Sequence, residues 1–202
     1  MAYANPPEIV TFGVYPVALY DMDPVNSSFN ISFYAWWRTK DKNYKPETSI
    51  EIVNSRDYTS KLGEKGKNGN EYYTYVHYYA KIHHVWDSKN FPFGHQYLDV
   101  KFEDFSDASL ILFDPDYEKS SLHSELVLPG WKIVGFNLQK SITEYTTNFG
   151  DTNSPNSKYS RITFSIEIKR NGWRLYMSYF IGFFMAGVLA HLLYITRILH
   201  KL

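Results

Sequence analysis

The sequence predicts an all-β protein, an immunoglobulin-like β-sandwich of about 8–10 strands followed by one C-terminal transmembrane α-helix. Tyr occurs 18 times and Phe 14 times in 202 residues, and aromatic residues favour strands. Short runs of alternating apolar and polar residues recur between turn signals. No Asp, Glu, Lys or Arg occurs between Arg174 and Arg197, an interval long enough for a hydrocarbon core that needs about 20 residues. We therefore expect a sandwich over residues 1–170 and a single membrane helix over 173–198.

The N-terminal region is predicted to form two strands joined by a turn. Ile9 to Tyr20 is apolar and aromatic, and residues 21–28 supply the turn. From Phe29 to Arg38 the alternation with a period of two is the most regular in the chain. The second face of this strand carries Tyr34 and Trp36, so we expect it to pack against another strand, a partner or a ligand.

The remaining strands are predicted from apolar runs bounded by turn residues. They are Ile50–Val53, Tyr72–Val85, a strand that starts at Leu98, Leu110–Phe113, one or two strands within Trp131–Tyr145, and Ile162–Ile168. Gly63–Asn70 is polar and rich in glycine, so we expect an exposed turn there. Phe149–Asn156 is predicted to be a polar loop.

A short segment in the middle of the chain is predicted to organise the rest. In Phe91-Pro92-Phe93-Gly94-His95-Gln96 the proline fixes φ and cannot donate a backbone hydrogen bond, so the turn is rigid. The two phenylalanines make the turn apolar, and we expect it to pack on an apolar surface. The strand with Leu98, Val100 and Phe102 on one face follows at once.

Charge and composition argue against several functions. The chain has 21 basic and 21 acidic residues, so its net charge of zero does not favour a nucleic acid as partner. It has no Cys, which excludes disulfides and thiolate zinc sites. His77 and His83 share a strand face but lie too far apart to bind one ion. No phosphate loop, nucleophile triad or carboxylate pair stands out, so we expect no enzyme, no cofactor and no metal.

The charges around the predicted membrane helix do not orient it, because basic residues flank both of its ends. The N-terminus lacks the basic end and the apolar core of a signal peptide. Ala2-Tyr3-Ala4 has the small-x-small form of a cleavage site, so removal of a signal upstream of Ala2 is one hypothesis.

Small residues recur every four positions within the helix, at Ser178, Gly182, Ala186 and Ala190. This spacing places them on one stripe, where a second helix can approach closely. The alternative is coincidence in a helix rich in Gly and Ala.

Four motifs occur in a characteristic order. They are Phe29-x-Ile31-x-Phe33-Tyr34-Ala35-Trp36 with Asp41, Tyr44-x-Pro46-Glu47 followed by Ile52-Val53-Asn54, Phe91-Pro92-Phe93-x-x-Gln96, and Ile166-Glu167-Ile168-Lys169-Arg170 before the apolar helix. Together they resemble the extracellular domain and first membrane helix of the pentameric ligand-gated ion channels, the Cys-loop receptor family, in its cysteine-free prokaryotic form. The sequence ends at Leu202, before that family's pore-lining helix. We therefore expect either a fragment of a channel subunit or a natural protein with a single anchor.

The resemblance implies a homopentamer in the cell membrane, with the sandwich on the periplasmic or extracellular side and a small-molecule ligand between neighbouring subunits. The implied ligand site has Phe105, Tyr145, Phe149 and Tyr159 on one subunit and Tyr34 on the next. The implied coupling site comprises Phe91, Pro92, Phe93, Gln96 and Arg170. The same aromatic residues could instead be ordinary core or surface residues of a Tyr-rich chain. The alternative functions are a single-pass accessory or scaffold subunit that does not conduct ions, and an unrelated adhesin with a tail anchor.

Overall fold

The computed structural model describes residues 6–150 and 157–200, which form two β-sheets packed face to face and a C-terminal helix. The elements in chain order are β1 (Glu8–Asp23), β2 (Ser28–Thr39), α1 (Pro46–Ser49), β3 (Ile50–Ile52), β4 (Ser55–Asn68), β5 (Glu71–His83), β6 (His95–Asp107), β7 (Ile111–Pro115), β8 (Trp131–Tyr145), β9 (Ser157–Arg170) and α2 (Gly172–Leu199). One sheet has the order β4-β5-β2-β1-β7 and the other the order β3-β6-β9-β8. The predicted β-sandwich with one apolar C-terminal helix is confirmed. The cleavage-site pattern at residues 2–4 and the loop tip at residues 151–156 lie outside the described residues.

The core lies between the two sheets and is built from the apolar faces of alternating strands. Phe12 and Phe33 of the first sheet are fully buried against Phe102 and Phe164 of the second. Their ring centroids lie 5.0 Å apart for Phe12 and Phe102 and 5.4 Å apart for Phe33 and Phe164. Because strand side chains point to opposite faces in turn, the period-two runs in β2, β6 and β9 place these rings inward. Contacts of this kind between large aromatic rings dominate core energetics.

The prediction for Gly63–Asn70 was wrong over most of its length. Strand β4 continues through it to Asn68 and pairs with β5, and only the turn between Asn68 and Glu71 remains. The glycines have a steric role in this strand. A Cβ atom on Gly63 would overlap the ring of Tyr75, and one on Gly66 would lie 2.5 Å from the ring of Tyr73. Glycine therefore leaves room for tyrosine rings of β5 that lie across the neighbouring strand.

Helix α2 follows β9 after a single linking residue, Asn171, whose side-chain Oδ1 accepts a hydrogen bond from the backbone N–H of Arg174 at 3.4 Å. Its 28 residues span about 42 Å at 1.5 Å per residue. The helix is long and apolar enough to cross a membrane, and the window that qualifies it has no residue buried within the chain. The charge-free stretch from Leu175 to Thr196 covers about 33 Å, close to the thickness of a hydrocarbon core of about 30 Å.

Candidate functional site

A cleft of about 620 Å³ opens where β6 ends and the β8–β9 hairpin closes. Four of the five predicted ligand-site residues line it, namely Phe105, Tyr145, Phe149 and Tyr159. Glu51, Ile52, Val53, Ser55, Tyr58, Glu103 and Asp104 complete the lining. Tyr159 precedes Arg170 by eleven residues on β9, which is about 36 Å at about 3.3 Å per residue. The cleft therefore lies at the opposite end of β9 from helix α2.

Three of the aromatic rings in the cleft contact one another. The ring centroid of Tyr145 lies 5.5 Å from that of Phe149 and 5.8 Å from that of Tyr159, and all three pairs meet edge to face. Phe149 has a backbone φ of 50°, a conformation that residues other than glycine rarely adopt. Its side chain is 63% exposed, so packing in the core does not account for this conformation. Strained residues of this kind cluster at ligand sites.

A row of charged residues crosses the second sheet at the floor of the cleft. Glu103 on β6 pairs in register with Glu51 on β3 and with Arg161 on β9. The Glu103 side chain is almost completely buried and forms an ion pair with the Arg161 guanidinium, with an Nε–Oε1 distance of 2.6 Å. Tyr145 donates its hydroxyl proton to Glu103 Oε2 at 2.9 Å and accepts from Arg161 Nη2 at 3.1 Å. The ion pair and its hydrogen bonds hold Tyr145 in a fixed position.

The acidic groups of the cleft outnumber the basic ones. Asp104 is buried and accepts hydrogen bonds from the Tyr44 hydroxyl at 2.6 Å and from the Ser106 backbone N–H at 2.7 Å. Burial, together with the nearby Glu103 charge, raises the pKa of the Glu51 carboxyl. Among the described residues no ion pair to Glu51 is formed. The cleft thus combines exposed aromatic faces with a carboxylate that has no countercharge.

Tyr34, the fifth predicted ligand residue, lies elsewhere. It projects from the outer face of the other sheet, where its ring stacks on His77 at 4.1 Å. His77 Nε2 in turn lies 2.8 Å from the Ser32 hydroxyl. Within one chain Tyr34 does not join the four cleft aromatics, so the predicted role for it requires a second subunit. Trp36, Tyr73 and Tyr75 lie on the same face, and its packing against another strand, a partner or a ligand stays a prediction.

The predicted coupling segment reaches the start of helix α2. The Phe91–Pro92 peptide bond is cis, and Phe93 N–H donates to the Asn90 carbonyl at 2.7 Å to close the turn. Gly172, the first residue of α2, is buried against this turn. A Cβ atom on Gly172 would lie 2.8 Å from Phe93 Cε1 and 2.8 Å from the Pro92 carbonyl oxygen. The turn therefore contacts the N-terminal end of the helix at Gly172, but Phe91 and Phe93 are 57% and 51% exposed, so the expected apolar packing is only partial.

The other two coupling residues brace the same junction. Gln96 is buried, donates through Nε2 to the Asp87 carbonyl at 2.6 Å and accepts at Oε1 from the Asp87 N–H at 3.0 Å. It thereby ties the segment before the Phe91 turn to β6. The Arg170 guanidinium lies over the Trp131 ring, 4.4 Å from its centroid. The last residue of β9 is therefore linked to β8 beside the helix.

The stripe of Ser178, Gly182, Ala186 and Ala190 is on the exposed surface of α2. A Cβ atom on Gly182 would have no neighbour within 4 Å among the described residues. Association of helices through this stripe stays a prediction.

Sequence reasoning missed the charged part of the cleft. The alternation in β6 assigned Glu103 to the solvent face, and nothing in the local sequence links it to Glu51 or Arg161. Only the register of β3, β6 and β9 brings these three residues into one row.

The fold and the cleft together define a class of protein. It is a β-sandwich, with nine strands among the described residues, that carries an aromatic and acidic cleft and a C-terminal helix apolar enough to span a membrane. No protein-family model matches the chain, and no curated protein matches it.

Proposed function

We propose that this chain is the ligand-sensing domain, with the first membrane helix, of a pentameric ligand-gated ion channel subunit. One observation carries the proposal: four of the residues that the family resemblance implies, from three separate segments of the chain, converge on one cleft. The Phe91 turn, implied by the same resemblance to couple the sandwich to the pore, packs on the first residue of α2. These two placements support a sensor at one end of the sandwich and an output at the other.

The chemistry of the cleft favours a small organic cation as the ligand. Aromatic faces attract cations, and a quaternary or primary ammonium group fits a cage of Tyr and Phe rings. Glu51 has no ion-pair partner among the described residues and can supply the countercharge, while the Glu103–Arg161 pair is already satisfied. A volume of about 620 Å³ lies within the usual range for small-molecule sites. A bound cation would also relieve the repulsion between Glu51 and Glu103.

The proposed signal travels along β9. Ligand binding draws the loop that carries Phe149 over the cleft, and β9 connects Tyr159 directly with Arg170 and the start of α2. The Phe91 turn contacts that same helix start and transmits the displacement. In thermodynamic terms, ligand shifts the population between two arrangements of this junction in proportion to its differential affinity for them.

Binding of choline to the purified chain tests the ligand class. Choline carries a quaternary ammonium group, and 3,3-dimethylbutanol is its neutral isostere. We expect choline to bind more tightly than the isostere by calorimetry, and Tyr159→Ala to weaken choline binding at least tenfold through loss of the cation–π contact. Tyr117→Ala serves as the matched control, because Tyr117 is 62% exposed outside the cleft. Equal binding of both compounds, or equal loss in both variants, would contradict an organic-cation site.

The oligomeric mass of the chain in detergent tests the assembly. A five-fold ring in native mass spectrometry or in particle images supports the channel-subunit proposal and places Tyr34 beside a neighbouring cleft. A monomer or dimer would instead favour the single-pass accessory subunit.

A further inference from the structure

An open groove of about 920 Å³ lies between the second sheet and the start of α2, at the opposite end of the sandwich from the aromatic cleft. Its lining includes six Trp, Lys and Arg side chains from three elements, Trp131, Lys132, Lys169, Arg170, Trp173 and Arg174. We call this the junction groove. Four of the six are cationic, and no Asp or Glu is among its lining residues in the described part of the chain. A chain with zero net charge thus concentrates four positive charges at one site.

The charge concentration is unfavourable for the isolated chain. Lys132 and Lys169 are directly opposite each other in the β8–β9 register, and like charges in that position repel. Neither lysine forms an ion pair with any described residue. Arg174 likewise has no acidic partner among these residues. An anion bound between the two lysines would remove this repulsion.

Arg170 is a further cation at this groove, on the opposite face of β9 from Lys169. Its guanidinium stacks on Trp131 at 4.4 Å, and Trp131 is in turn fixed by the ring of Trp86, whose centroid lies 5.7 Å away. Stacking orients the plane of the guanidinium, and its N–H groups are suited to bidentate bonds with phosphate oxygens. The two lysines border the same groove from the other face of the sheet and add two point charges there.

The junction groove also lies at a defined depth relative to the membrane. Arg174 is the last charged residue before the charge-free stretch of α2, and Trp173 is 66% exposed beside it. Trp at the end of a membrane helix lies at the level of the lipid headgroups. A phosphate in the groove would therefore belong to a lipid whose acyl chains run along α2.

We infer that the junction groove binds the phosphate headgroup of an anionic phospholipid. The Lys132–Lys169 pair contacts the phosphate, Arg170 adds positive potential from the other face of β9, and Trp173 and the first apolar turn of α2 contact the glycerol and upper acyl region. The occupant joins β8, β9 and α2 beside the Phe91 turn, so its presence stabilises the junction. This inference does not depend on the proposed ligand for the aromatic cleft.

Native mass spectrometry of the full chain in detergent tests this inference with two probes of identical acyl chains, phosphatidylglycerol and phosphatidylcholine. We expect phosphatidylglycerol to be retained at lower concentration, and its affinity to fall as salt is raised. The double variant Lys132→Gln/Lys169→Gln should weaken its retention about 30-fold, since each basic residue near an anionic lipid contributes about fivefold. Lys169→Arg keeps the charge and should retain the lipid.

The matched control is Lys42→Gln/Lys45→Gln, which removes two exposed charges outside the groove. This control should leave retention of phosphatidylglycerol unchanged. Equal retention of the two lipids, or equal losses in the two double variants, would overturn the inference. Inorganic phosphate or glycerol phosphate that displaces the lipid at equal concentration would also overturn it, because the groove would then be a site for free anions.

Discussion

Gly172 offers the sharpest test of the contact between the Phe91 turn and helix α2. In Gly172→Ala the new Cβ would lie 2.8 Å from both Phe93 Cε1 and the Pro92 carbonyl oxygen, and the latter is backbone and cannot rotate away. Overpacking of this kind costs about 1–3 kcal/mol. Alanine gains up to about 1 kcal/mol over glycine in a helix interior and less at its first residue, so the clash dominates. We expect the turn and the helix start to separate.

Hydrogen–deuterium exchange of the turn measures this separation. The Phe93 amide is protected by its bond to the Asn90 carbonyl, and a destabilisation of about 1–3 kcal/mol should speed its exchange by roughly 5–150-fold. Adding Phe93→Ala to Gly172→Ala should restore protection of the neighbouring turn amides only in part, because the contact with the Pro92 oxygen remains.

Gly182→Ala is the matched control, since its Cβ would have no neighbour within 4 Å in the described chain. It should leave exchange in the turn unchanged. Exchange in Gly172→Ala within twofold of the parent chain would refute the packing argument, as would equal acceleration in Gly182→Ala.

Three further predictions concern the cleft and the helix. The pKa of Glu51 is raised in the folded chain. Ionisation of this carboxyl therefore lowers the free energy of unfolding as pH rises from the ordinary glutamate pKa through the raised one, and it has no effect at lower pH. Glu51→Gln should therefore raise the free energy of unfolding by about 0.2–1 kcal/mol at pH 7 and by nothing near pH 3.5 in denaturant titrations, and a gain independent of pH would contradict this account. Arg161→Met leaves Glu103 buried without its countercharge and should lower the free energy of unfolding by about 3–5 kcal/mol. Adding Glu103→Gln should recover most of this loss. Purely additive losses in the two variants would show that the pair is not coupled. Gly182→Ile should lower the oligomeric mass in detergent if the small-residue stripe contacts a second helix. Gly187→Ile should not, because Gly187 lies off the stripe and is equally open. Equal effects of the two variants would exclude the stripe as the contact.

The sequence by itself determined the elements whose signals are local. Alternation in β2 and β9 follows from the period of two of a strand, so the buried faces of Phe33 and Phe164 could be read directly. The charge-free stretch defined α2 because a membrane-length helix needs only composition and length. The turn at Phe91-Pro92-Phe93 was recognisable because proline restricts the backbone wherever it occurs.

Only the tertiary structure decided features that depend on partners distant in the chain. Strand β4 is polar and rich in glycine, and it forms a strand because it pairs with β5, whose tyrosine rings occupy the space that the glycines leave open. Glu51, Glu103 and Arg161 form one row because the register of three strands aligns them, and register is a property of the sheet. The junction groove likewise exists only where β8, β9 and α2 meet. Local periodicity specifies which face of a strand is buried, whereas the chemistry of a site depends on which strands become neighbours.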